Sequence, residues 1–335
     1  MEDNVDFVIT WVDDSDPDWR KDFDKSSGNI KFTESNDPQR YRSWDNLQYL
    51  FRGIEKFAPW VNRVHLVTNG QKPKWLNLNC PKLNFVTHDD YIPQEFLPTF
   101  SARTIMLNFH RINGLADKFV YFNDDFFLCN NITKKAFFKG SLPCDMPIQT
   151  IPSLRGNREY TLLKAVSIIN KHFDKRTSIW HYPQKWFSLS YGIKNILKNI
   201  YLSPYKDFSA FGFMHRPYPL LKSTYEELWE NERIILCEAC SHKFRDVTDI
   251  NPEVIRYWQF ASGSFHPKNI TKDTFAKNIS DKTISEYIDV IENQRYPIVV
   301  VNDSDAETIT DFALAKLRIK EAFDLILPEK STFEI

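Results

Sequence analysis

The chain has 335 residues, with 43 Lys and Arg against 44 Asp and Glu, a formal net charge of -1 and 42% hydrophobic residues that include 27 Phe, 14 Tyr and 9 Trp. A disordered or fibrous chain is excluded, and the length suffices for one large or two smaller compact units. Without a net positive field no nucleic-acid partner is expected.

No run approaches the ~18 consecutive apolar residues of a membrane-spanning helix. The start, Met1-Glu2-Asp3-Asn4, lacks the positive end and apolar stretch of a secretion signal, so a cytoplasmic protein is expected. Five cysteines, Cys80, Cys129, Cys144, Cys237 and Cys240, are too few and too scattered for a disulfide framework and read as reduced, buried thiols. Cys237 and Cys240 with His242 make half of a zinc-site spacing, and the second half is missing.

In chain order, β-branched and aromatic residues predict a strand over 6–12, then an amphipathic helix within 43–59 on Leu47, Leu50, Phe51, Ile54 and Phe57. Strands follow over 63–68 and 83–88. Ser101 is placed to cap a helix whose Ile105, Met106, Phe109 and Ile112 share a face, with Gly114 as its stop. A strand over 118–122 closes this region. Such alternation predicts an open, mostly parallel α/β sheet, with ligands gathering beyond the carboxyl ends of its strands.

The middle is less regular and reads as a helical insertion or lid. In it Ile193, Ile196, Leu197 and Ile200 share a helical face beside Lys194 and Lys198; we read this stripe as core-packing, the alternative being contact with a membrane surface or a lipid-linked substrate. A strand over 298–301 and a long helix on Phe312, Ala315, Ile319, Phe323 and Ile326 finish the chain. The expected division is 1–134 for the first part of the catalytic core, 135–265 for the insertion and 266–335 for the strand and helix that complete the core.

Three predicted strands run into acids or amides: Asp13-Asp14, Asn123-Asp124-Asp125 and Asn302-Asp303. A carboxylate at a buried strand end is costly unless compensated, and these hard oxygens suit Mg²⁺ or Mn²⁺. A turn or helix cap explains Asn-Asp-Asp equally well, and Asp303 at another strand end favours the cation. His215, in Phe213-Met214-His215-Arg216-Pro217, can serve as general base or phosphate donor. His65, His88, His110, His172 and His242 are expected to be structural. Arg245 can grip a phosphate in two-pronged fashion or be an ordinary surface arginine.

The residues from Asp6 to Pro17, DFVITWVDDSDP, resemble the first block of the Stealth proteins, the hexose-1-phosphate transferases that build phosphate-linked bacterial capsules and include the N-acetylglucosamine-1-phosphotransferase of animals. The second block runs from Arg42 through Ala58-Pro59-Trp60, Thr68-Asn69-Gly70-Gln71 and Leu97-Pro98-Thr99-Phe100-Ser101 to Tyr121-Phe122-Asn123-Asp124-Asp125. His215-Arg216-Pro217 with Phe244-Arg245 is similar to the third, and Val301-Asn302-Asp303 closed by Leu327-Pro328-Glu329-Lys330-Ser331-Thr332-Phe333-Glu334 to the fourth. Two positions depart from the pattern: Asp14 stands where the family usually has Gly, and Asn69 where it usually has Asp.

The resemblance implies a Rossmann-like, GT-A-like sheet and transfer of a sugar-1-phosphate from a UDP-sugar to a glycan hydroxyl. The implied site has Asp124, Asp125 and Asp303 at a Mg²⁺ or Mn²⁺ ion, and His215, Arg245, Asp13 and Asp125 in catalysis. Asn123, Asn302 and Arg42 would hold substrate. The acceptor would be lipid-linked and the enzyme peripheral to the inner face of the cell membrane. The alternatives are a metal-dependent glycosyltransferase that releases UDP and a carbohydrate-binding protein without turnover.

Overall fold

The computed structural model describes residues 3–28, 44–153, 156–303 and 309–335. Its main sheet contains β1 (Val5–Thr10), β2 (Val64–Thr68), β3 (Leu83–Thr87) and β4 (Lys118–Phe122). These lie parallel in the order β3-β2-β1-β4, and Tyr218–Leu221 adds an antiparallel strand beside β4. The open, mostly parallel α/β arrangement expected from the alternation is therefore the one observed.

Central parallel strands are buried on both faces, so each alternate side chain needs its own core. Val5, Phe7 and Ile9 of β1 and Val120 and Phe122 of β4 join a core built with α2 (Leu47–Phe57). Val8, Phe119 and Tyr121 enter a second core on the opposite face. Helix α1 (Pro17–Ser27) follows β1, with Asp16 accepting hydrogen bonds from the backbone of Asp18 and Trp19. The helix expected after Ser101 is shorter: α3 (Ala102–Leu107) ends where Asn108 Nδ2 bonds Thr104 O at 2.8 Å, a side-chain competitor for the backbone ladder, and the Ser101 hydroxyl makes no cap bond.

After β4 the chain turns through Asn123-Asp124-Asp125 into β5 (Phe126–Leu128), which leaves the main sheet for a second one. Two short strands, β6 (Phe138–Lys139) and β7 (Leu142–Asp145), come next. Then follow helices α4 (Asn157–His172), α5 (Lys175–His181), α6 (Pro183–Trp186) and α7 (Ile193–Leu202). The antiparallel strand of the main sheet is β8 (Tyr218–Leu221), and α8 (Lys222–Ser241) and α9 (Glu253–Ala261) follow it. Residues of α4, α8 and α9 fill the second core, so residues 135–265 supply a strand of the main sheet and one of its covering layers. Sequence reading missed β8 because Pro219 weakens a strand assignment; Pro is tolerated at this edge, where the Gln259 side chain accepts from Leu221 N at 2.9 Å.

Strand β9 (His266–Pro267) pairs with β7. The chain then forms β10 (Thr274–Ile279), α10 (Ile284–Glu292), β11 (Ile298–Asp303) and α11 (Phe312–Ile326). Strand β11 is parallel to β10 and antiparallel to β5. Strand β10 escaped detection because Ala276, Lys277 and Asn278 are exposed, which removes the apolar pattern.

Helix α2 packs so closely on β5 that a Cβ at Gly53 would lie 2.5 Å from the Leu128 carbonyl oxygen. Gly53→Ala is therefore expected to destabilise the fold by about 1–3 kcal/mol, the usual cost of overpacking. Urea unfolding will measure it; a midpoint equal to the parent's would show that β5 yields freely.

Candidate active site

The antiparallel pairing of β5 with β11 is what brings two acidic strand ends together. Val301 N donates to Asp125 O at 2.9 Å, which sets the end of β11, with Asn302 and Asp303, beside the turn that follows β4. The strand ends of two sheets meet at this seam. The side chain of Asp303 and the whole of Arg42 lie outside the described residues.

Two cavities flank His215. One, of about 260 Å³, has Tyr121, Asn123, Arg158, His215, Arg245 and Glu253 among its walls. The other, of about 500 Å³, includes Met214, His215, Lys277, Asn278 and Asn302. Asp124 and Asp125 stand between the wall residues Asn123 and Phe126, with Asp125 Oδ2 3.6 Å from His215 Nε2. The structure thus gathers Asn123, Asp124, Asp125, His215 and Arg245, with Asn302 on the far side of His215. Asp13 lies outside the walls of both cavities: its Oδ1 accepts from Ser15 N at 3.0 Å and Ser15 Oγ at 2.6 Å, and its backbone pairs with the Gln71 amide.

The histidine is held by a directional chain. Tyr121 donates its phenolic proton to Asn123 Oδ1, so Thr10 Oγ1, 3.1 Å from the same phenol, is the donor there. With Oδ1 committed, the Asn123 amide turns Nδ2 toward His215 Nε2 at 3.3 Å, making Nε2 an acceptor and leaving the ring proton on Nδ1. Burial, then the charge of Arg158, lowers His215 to about 4, so the imidazole is neutral at neutral pH. At 3.6 Å from Asp125 it makes neither a hydrogen bond nor an ion pair between charged partners.

Burial first, and then the Asp125 charge, raises Asp124 to about 7; burial raises Asp125 to about 7 against a hydrogen bond from Asn123. Asp124 is exposed and Asp125 half-buried, so water moderates the upward shift of Asp124 more than that of Asp125. Asp125 Oδ1 is buried and accepts no hydrogen bond. Two adjacent carboxylates, one with a buried, unsatisfied oxygen, fit a divalent cation. Among the described residues no three His, Cys, Asp or Glu side chains converge on one point, so substrate oxygens would have to complete the shell.

Arg245 is presented on a braced loop. Phe244 stacks on Phe100 at 5.1 Å and meets Phe23 edge-on, while the buried Asp249 carboxylate accepts from His242 Nδ1 at 2.7 Å, Arg103 at 2.8 Å and Asp246 N at 2.9 Å. His242 is thereby structural, as are His65, bonded to Asp6 at 3.0 Å, and His172, bonded to Glu232.

Sequence reading missed Tyr121 and Arg158. Tyr121 stood in the second family block, but as one more aromatic in an apolar strand it showed nothing of its role. Arg158 carried a signal: it lies in the first turn of α4, where a cation opposes the helix dipole. Its guanidinium lies 3.7 Å from the centre of the Phe213 ring at the cavity wall.

Residues 3–31 match the Stealth protein conserved region 1 and residues 40–144 its conserved region 2. The chain is 39% identical to a capsular polysaccharide phosphotransferase, WcwK, of Streptococcus pneumoniae over 98% of each chain. It is 36% identical to the receptor polysaccharide phosphotransferase WefC of Streptococcus gordonii over 100% of each. A solved galactosyltransferase, LgtC, is similar with a TM-score of 0.40 at 10% identity over 96% of each chain, too distant to bear on function. With relatives named as phosphotransferases matching 98–100% of its length, the chain is a transferase, and it belongs to the Stealth family.

Proposed function

We propose that the protein transfers a hexose-1-phosphate or N-acetylhexosamine-1-phosphate from a UDP-sugar to a hydroxyl of a lipid-linked cell-surface glycan, as a capsular or exopolysaccharide phosphotransferase. The acceptor oxygen attacks the sugar-bearing β-phosphorus, the bond from that phosphorus to the bridging oxygen breaks, and UMP leaves with its electron pair. The observation that carries this reading is the single cavity wall that combines Arg245, Arg158, Asn123 and His215, with Asp125 3.6 Å from the imidazole.

His215 is neutral and takes the proton of the attacking hydroxyl at Nε2, where the 3.3 Å contact to Asn123 is long enough to yield. Arg245 and Arg158 offset the charge spread over the phosphoryl oxygens. Asp124 and Asp125, with Asp303 at the adjoining strand end, would hold Mg²⁺ or Mn²⁺, which supplies positive charge to the pyrophosphate when bound. Asn302 faces the larger cavity, the side we assign to the acceptor.

Incubation with UDP-sugars, Mg²⁺ and acceptor glycan, followed by nucleotide chromatography and phosphorus NMR, tests the reaction. UMP and a new phosphodiester are expected. UDP as sole product would make the protein a glycosyltransferase, and glycan binding without nucleotide consumption a lectin. Within the reaction, Arg245→Lys should melt like the parent and lose about 10²-fold in turnover, because a point charge cannot reproduce a two-pronged grip. Unchanged turnover would remove Arg245 from the site.

A further inference from the structure

Helix α7 does not bear out the core-packing expectation for its apolar stripe. Ile193, Leu197, Ile200 and Tyr201 are respectively 78%, 58%, 50% and 67% exposed, and Leu189 just before the helix is 89% exposed. Of the stripe, Ile196 turns inward, against the small core of Met146, Ile148, Tyr191 and Ile270. Isolated exposed apolar residues are ordinary, but successive turns of one helix presenting them on one face are not.

The charge around the stripe is one-sided. In a chain with as many acids as bases, residues 175–206 contain no Asp or Glu and include Lys175, Arg176, Lys185, Lys194, Lys198 and Lys206. Lys194 and Lys198 are exposed and lie one turn apart along the edge of the apolar face, and Arg176 and Lys206 are also exposed. Two of these bases turn inward: Lys175 is buried with its ammonium donating to Leu202 O at 2.7 Å, and Lys185 donates to Gly263 O at 2.6 Å.

We propose that α7 lies flat on an anionic lipid surface, with Ile193, Leu197, Ile200 and Tyr201 entering the headgroup boundary and Lys194 and Lys198 meeting lipid phosphates. Amphipathic helices with an apolar face and lysine flanks bind in this way. A bilayer suits these observations better than a protein groove, because the exposed apolar face spans the helix, carries two lysines at its edge and has no acid on the helix itself. No helix among the described residues is long and apolar enough to cross a membrane, so the contact is with the surface.

The helix is fixed to the body of the enzyme. The buried Asn199 side chain donates to Pro147 O at 3.0 Å and to Trp186 O at 2.8 Å, and accepts from Gln149 N at 2.8 Å. Gln149 in turn pairs with Phe211, two residues before Phe213 in the cavity wall. A surface held by α7 is therefore linked through these hydrogen bonds to the segment that carries His215. The inference goes beyond the proposed reaction and does not depend on its donor.

Flotation of the whole protein with phosphatidylcholine vesicles, with and without phosphatidylglycerol, tests it. The parent should float with the anionic vesicles at low salt and be released as salt rises. Ile193→Gln with Leu197→Gln should lower bound protein about tenfold, and Lys194→Glu with Lys198→Glu should abolish the preference for anionic lipid. Both variants should keep the parent's melting temperature and its nucleotide release with a soluble acceptor. A parent that stays unbound, or variants that float as it does, would overturn the proposal. So would a parent dimer that these variants dissociate, which would assign the face to a second copy. Failure to float leaves UMP release untouched, and failure to release UMP leaves flotation untouched, so the two readings fall separately.

Discussion

Asp125→Asn is expected to stabilise the protein above pH 7 while slowing turnover by about 10²- to 10³-fold. The carboxyl is raised to about 7 in the fold from 3.8 when unfolded, chiefly by burial. Between those values the folded state binds more protons, so this group's effect on stability becomes less favourable as pH rises through the window and is fully adverse above it. Asparagine keeps the neutral, hydrogen-bonding form at every pH and removes the loss, by about 1–3 kcal/mol, the usual cost of an uncompensated buried polar group. It also removes the charge that would hold a cation, so Mg²⁺ should raise the melting temperature of the parent more than that of the variant. Melting curves across the window, with Mg²⁺ and with chelator, measure both. A variant less stable than the parent above pH 7, or one that retains turnover, would place Asp125 in a structural role.

His215→Gln is expected to cost about 10²- to 10⁴-fold in kcat, the usual contribution of a general base, with a smaller change in KM for the donor. The imidazole is lowered to about 4 from 6.5, so it stays neutral across the neutral range. Its limb in the kcat/KM profile should appear near 4, below the limb that Asp124 and Asp125 impose near 7, and glutamine should erase the lower limb alone. The linkage has the opposite sign to that of Asp125: the folded state binds fewer protons between about 4 and 6.5, so His215 makes stability rise with pH there. The two windows overlap and partly cancel in the parent, and the informative quantity is the difference between each variant and the parent. A limb near 4 retained in the glutamine variant would assign the base elsewhere.

Much of the sheet was legible because parallel strands are apolar on both faces and leave short, dense runs of Val, Ile and Phe. Four of those runs became β1 to β4, and a fifth became β11. The elements that escaped are those whose partners suppress the pattern: β8 has Pro219 at an edge, and β10 exposes its central residues. Within the site, the acids were legible as polar residues ending apolar strands, and His215 and Arg245 through the family blocks. Tyr121 and Thr10 were not, because a hydrogen-bonding chain between neighbouring strands depends on register.

The sequence by itself determined the alternating α/β order, the acidic strand ends, the family and the amphipathic character of α7, since each depends on residues close together in the chain or on matched blocks. Tertiary structure alone decided that β11 pairs with β5, which carries Asn302 to the turn at Asp125, and that residues 135–265 cover one face of the sheet. It also decided that the stripe on α7 faces outward. Periodicity reports that a helix has an apolar face, but what covers that face depends on distant segments whose packing no local pattern encodes.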